Sequence, residues 1–104
     1  PAVVGPGPDR LLRSRPIDFA GMRFAVLPAV VYTTGQLLDL PALTAAARRH
    51  GVTVAWDCSH SAGVVPHRLR ADDIDLAFGC TYKHLNGGPG SVGWLYVHPR
   101  LRDR

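Results

Sequence analysis

The segment "VTVAWDCSHSAG" at 52–63 decides the fold. Its first five residues are apolar or β-branched with no clean polar alternation, the pattern of a strand buried on both faces of a parallel sheet. An acid, Asp57, closes the run. Just upstream, "DLPALTAAARRHG" (39–51) reads as a helix. Asp39 supplies a side-chain cap, Pro41 is tolerated in the first turn, and Gly51 stops the helix. Leu40, Leu43, Ala47 and His50 fall on one face. Further upstream, "RFAVLPAVVY" (23–32) is an apolar run interrupted by Pro28, and "TTGQ" turns the chain. Downstream, a crossover through "SAGVVPHRLRAD" leads to "IDLAFGC" (74–80), and "SVGWLYVHP" (91–99) follows so closely that an antiparallel return is expected. The order describes an α/β domain, a partial and mostly parallel sheet with flanking helices.

Composition sets the outer limits. A chain of 104 residues, 46% hydrophobic and 19% charged, makes one small globular domain. It has no apolar run of membrane-spanning length. The 12 Lys+Arg against 8 Asp+Glu leave +4. Much of that excess is arginine at the two ends, without interleaved aromatics, which argues against nucleic acid as a partner. Cys58 and Cys80 make no CxxC and follow no secretory signal, so a reducing, cytoplasmic setting is expected. Residues 1–21, rich in Pro, Gly and Arg, read as an irregular N-terminal segment, and 22–104 as the domain proper. Both ends read as cut rather than finished.

The chemistry gathers where the strands stop. Ligands of open α/β sheets bind outside the carboxyl ends of the strands. Asp57 ends one strand, while "CTYKHLNGGPG" (80–90) brings Tyr82 and Lys83 past the end of the next. A lysine there can bond covalently to an aldehyde cofactor. An aspartate can keep a pyridine nitrogen protonated so that the ring accepts electrons. Together they suit pyridoxal 5'-phosphate, although a strand-ending Asp also serves as a cap and a Tyr-Lys pair also serves in a solvated loop.

Other chemistries are less well supported. "NGGPGS" (86–91) lacks the Lys-Ser/Thr and the helix of a phosphate loop. Cys58, His60 and His67 lack a fourth ligand at suitable spacing, so no metal site is expected. Ser61 lacks the glycine two residues before it that a nucleophile elbow needs. Trp56 and Trp94 are expected in the core.

Over residues 24–99, and above all in "WDCSHSAG" and "CTYKHLNGGPG", the chain resembles the kynureninases. That resemblance implies the large domain of a fold-type-I pyridoxal-phosphate enzyme, similar to the class V aminotransferases. It makes Lys83 the lysine that holds the cofactor and later moves a substrate proton. Asp57 becomes the partner of the pyridinium nitrogen, and His60 a residue at the cofactor. Tyr82 becomes a hydrogen-bond donor near the phosphate and a catalytic acid. The reaction implied is hydrolytic Cβ–Cγ cleavage of L-kynurenine, or 3-hydroxykynurenine, to an anthranilate and L-alanine, within a homodimer. His60 and Tyr82 stand where the related cysteine desulfurases place a glutamine and a histidine.

The chain departs from the family's pattern at Pro28, where relatives offer a hydroxyl, and at His84, where an aromatic is common. The resemblance covers the middle of the large domain, so a fragment with little turnover of its own is expected. The alternatives are a non-catalytic remnant or a related class V aminotransferase or desulfurase. Exposed sheet faces and edges are expected in either case.

Overall fold

The computed structural model describes residues 2–4 and 17–103. Among the described residues, seven strands and one α-helix follow in the order β1 (Ala2–Val4), β2 (Phe24–Pro28), β3 (Val30–Val31), β4 (Gln36–Leu37), α1 (Leu40–Arg49), β5 (Thr53–Asp57), β6 (Leu76–Cys80) and β7 (Gly93–Val97). A 3-10 turn, Pro99–Leu101, comes last. The main sheet runs β1-β2-β5-β6-β7, and β3-β4 form a separate antiparallel pair. Strands β1, β2, β5 and β6 are parallel, and β7 returns antiparallel on β6. This is the mostly parallel α/β sheet that the order of elements implies.

Strand β1 corrects the expectation that residues 1–21 are irregular throughout: Ala2, Val3 and Val4 pair with Phe24, Ala25 and Val26. Three residues are too few to display a period, so only the neighbouring strand reveals them. The stretch 5–16 lies outside the described residues.

Helix α1 begins where its cap was expected. Asp39 accepts from the Ala42 amide at 3.1 Å, and Gly51 leaves the helix at φ +71°. The buried positions are Leu40, Thr44 and Ala47. Leu43 is partly buried, and His50 is exposed with its ring near Phe19. Thr44 is inside because Trp56 donates its indole N–H to the threonine hydroxyl at 2.8 Å. A polar residue thus satisfies the one polar atom of the largest core side chain.

The two faces of the sheet differ. On the α1 side, Ala25, Leu27, Val54, Trp56 and Ala77 are each at most 1% exposed. On the other side, Phe24, Val26, Leu76, Phe78 and Val97 are half-buried and Leu95 is 69% exposed. Strand β5 is buried on both faces along Val54, Ala55 and Trp56, as its run of apolar residues suggested, although Ala55 is shielded by its neighbours in the sheet and not by a second layer. Such a run records low polarity, and low polarity alone does not say what packs on it.

Pro28 stays within β2, opposite Asp57. The next amide, Ala29 N–H, bonds the Asp57 carbonyl at 2.9 Å. Alternation then turns the Pro28 nitrogen towards the β1 side, where the described pairing runs from Phe24 to Val26. Among the described residues no ladder bond is lost.

Candidate active site at the carboxyl edge of the sheet

Asp57 is the last residue of β5 and sits level with Pro28 of β2 and Phe78 of β6. Its Oδ1 accepts from the Ser59 amide at 2.9 Å, which starts a tight turn. Among the described residues nothing bonds its other carboxylate oxygen. Backbone bonds from Ser61 and Ala62 to the Cys58 carbonyl, at 3.1 and 2.9 Å, continue the turn and present His60 outward. Cys58 points inward and is fully buried. Burial pushes its thiol pKa up, against the pull of the Ser61 hydroxyl, leaving an inert packing group.

Lys83 reaches this turn from the loop after β6. Its Nζ lies 3.2 Å from His60 Nε2. A protonated amine donates there, which places the imidazole proton on Nδ1. The same Nζ lies 5.5 Å from the centre of the Tyr82 ring, and Tyr82 is half-exposed.

Two glycines let the loop and the turn approach. Gly63 has φ +90°, and a Cβ there would sit 2.5 Å from the His84 carbonyl oxygen. Its bare Cα is what allows the lysine loop to dock. Gly87 plays the same part inside the loop, where a Cβ would meet Thr81 Oγ1 at 2.5 Å. Thr81 Oγ1 is 2.7 Å from both Ser91 Oγ and the Val92 carbonyl, so it donates to Val92 and accepts from Ser91. Residues 86–91 thus close the base of the lysine loop as a turn.

The structure therefore brings His60, Tyr82 and Lys83 together, with Asp57 at the root of the same turn. It adds Tyr32, whose ring stacks on His60 with centroids 5.7 Å apart and planes 21° apart. Tyr32 was missed in sequence although it ends the first apolar run at the same edge of the sheet. That position was the available signal. Ser61 pairs with His67, not with His60. Among the described residues no group of three His, Cys, Asp or Glu side chains is placed to hold a metal.

A parallel sheet with an acid at one strand end and a lysine loop at the next defines a class, the fold-type-I transferases. An aspartate aminotransferase from Thermus thermophilus superposes with a TM-score of 0.68 at 27% identity, covering 93% of this chain and 26% of that one. Within that class the chain is homologous to a segment of the kynureninases. It is 52% identical over 75 residues to a kynureninase of Shouchella clausii, and 53% identical over 73 residues to kynureninase 2 of Neurospora crassa. These alignments take in 72% and 70% of this chain but 18% and 16% of the relatives, so the chain spans under one fifth of their length. No protein-family model matches the chain.

Proposed function

We propose that residues 22–104 form part of the cofactor-binding domain of a kynureninase and bind pyridoxal 5'-phosphate through Lys83. The observation that carries this is the 3.2 Å contact of Lys83 Nζ with His60, on a turn rooted in Asp57, within a stretch half identical to kynureninases. The donor set suits the group: an amine for its aldehyde, a carboxylate with one oxygen unengaged for its pyridinium nitrogen, and a flat imidazole already stacked on Tyr32. When bound, pyridoxal phosphate supplies the electron sink for hydrolytic cleavage of the Cβ–Cγ bond of L-kynurenine or its 3-hydroxy form.

This chain's own residues have the remaining work. Asp57 holds a positive charge at the ring nitrogen. His60 accepts a hydrogen bond from the Lys83 amine and orients it. Lys83, once released, moves a proton on the substrate. Tyr82 offers a phenolic O–H to the cofactor phosphate or to a departing carbanion. The complete enzyme is a homodimer in the cytoplasm, a setting consistent with free Cys58 and Cys80. No helix of the described residues is long and apolar enough to cross a membrane.

Titration of the chain with pyridoxal phosphate tests the reading. A saturable visible absorbance band that Lys83→Ala abolishes and Asp57→Asn shifts is expected. A band unaffected by Lys83→Ala would overturn the assignment.

A further inference from the structure

The turn carrying His60 is held by more than its backbone. Ser61 is fully buried. Its Oγ lies 2.8 Å from Nε2 of His67 and 3.3 Å from the Cys58 carbonyl oxygen. Both contacts are hydrogen bonds in one proton arrangement: the serine hydroxyl donates to Cys58, and His67 donates its Nε2–H to the serine oxygen. Ser61's own carbonyl accepts from Val64 and Val65 at 3.0 and 2.9 Å, so the residue anchors the turn on both sides. His67 comes from the crossover to β6. It lines a cleft of about 250 Å³ with Leu38, Leu40, Val65 and Leu69, beside the start of α1.

The position of Ser61 gives this bond its consequence. One residue earlier stands His60, in contact with Lys83. Two residues later stands Gly63, against which the His84 carbonyl is docked. Ser61 thus lies between the two contacts that join the turn to the lysine loop. Packing alone would be served by an alanine and a leucine at these places, and a buried hydroxyl is retained at a cost unless it is bonded.

We propose that Ser61 and His67 form a positioning pair that clamps the 58–65 turn to the crossover and so presents the His60 imidazole to the Lys83 amine. His67 touches no reacting atom and acts through Ser61 and His60. The inference rests on the reading of Lys83 as the reactive amine.

The test uses the chain's only lysine as its own probe. Lys83 is reductively methylated with formaldehyde and cyanoborohydride, without any cofactor, and the rate is read by peptide mass. The His60 ring protons, shifted by the Tyr32 ring, are followed by NMR. Far-UV circular dichroism and Trp56 fluorescence report folding. Freed from His60, the amine should react about threefold faster in His67→Phe, the change that one hydrogen bond of ordinary net worth produces. The His60 resonances should move towards unstacked values. Ser61→Ala should do the same, the double variant no more than either single one, and His67→Gln, which keeps an N–H at the Nε2 position, should restore both readouts.

Folded His67→Phe and Ser61→Ala proteins with unchanged rate and resonances would overturn the proposal. If His67→Phe does not fold, the comparison of Ser61→Ala with His67→Gln decides. A change in the first alone supports the pair; a change in both, or in neither, sinks it. Because methylation needs no cofactor, failure here is separable from failure of Lys83 to bind pyridoxal phosphate.

Discussion

His67 titrates where its surroundings resist charge. Burial lowers its pKa, against the opposing pull of Asp72, which is itself paired with Arg68 at 3.1 Å. The unfolded chain therefore takes up a proton at His67 more readily than the folded one. Stability from this group rises with pH, is fully present above about 6.5, and is lost as pH falls through the lower folded value. Thermal melts across that window should show the slope, and His67→Gln should flatten it. Gly63 makes a sharper case. Gly63→Ala would need a side chain at φ +90° and 2.5 Å from the His84 carbonyl. It should cost about 2 kcal/mol in denaturant melts and speed Lys83 methylation by displacing the loop. At this scale the sequence shows which residue types cluster: Asp57, His60, Tyr82 and Lys83 all lie at strand ends. The stacking of Tyr32 and the bond between Ser61 and His67 were not legible, because both depend on how a turn folds back and not on any spacing.

Between elements, one tie is ionic. Asp75 is 2% exposed, and its Oδ2 accepts from the Val54 amide of β5 at 3.1 Å. Its Oδ1 accepts from Arg48 of α1 at 2.8 Å and from Arg100 of the terminal turn. Asp73, at φ +56°, offers its carbonyl to the same two arginines and its carboxylate to Arg48 at 2.6 Å. Burial would raise the Asp73 carboxyl, but Arg100 and Arg48 outweigh it and hold it below the ordinary range. One carboxylate thus joins helix, central strand and chain end. Asp75→Ala would strand the Val54 amide and take from Arg48 and Arg100 their buried carboxylate, leaving them Asp73 alone, at about 2 kcal/mol by denaturant melts. The helix limits were legible from Asp39 and Gly51 because caps are local chemistry. This clamp was not, since Arg48 and Arg100 are separated from it by 25 residues or more.

Across the whole molecule, topology explains the uneven sheet. The steps from β2 to β5 and β5 to β6 run the same way across the sheet. Right-handed crossovers then pass both of these connections over one face. Phe19, α1 and Ile74 share that face's core, while the side bearing Phe24, Phe78 and Leu95 is left without a covering layer among the described residues. Leu95→Lys should shift stability by no more than about 0.5 kcal/mol and reduce binding of an apolar fluorescent dye. Undiminished dye binding would place the exposed apolar surface elsewhere. The open face was foreseeable from a chain that matches under one fifth of its relatives' length, whereas the apolar run of β5 says only that its residues are buried and not that a second layer covers them.

Lys83 is proposed as the residue that takes pyridoxal phosphate. Incubating the chain with the cofactor, reducing with borohydride and mapping the adduct by mass tests it most directly. Saturable, near-stoichiometric labelling of Lys83, weakened by His60→Ala and by excess phosphate, is the expected result. Labelling that does not saturate, or that falls on the N-terminal amine and leaves Lys83 unmodified, would contradict it.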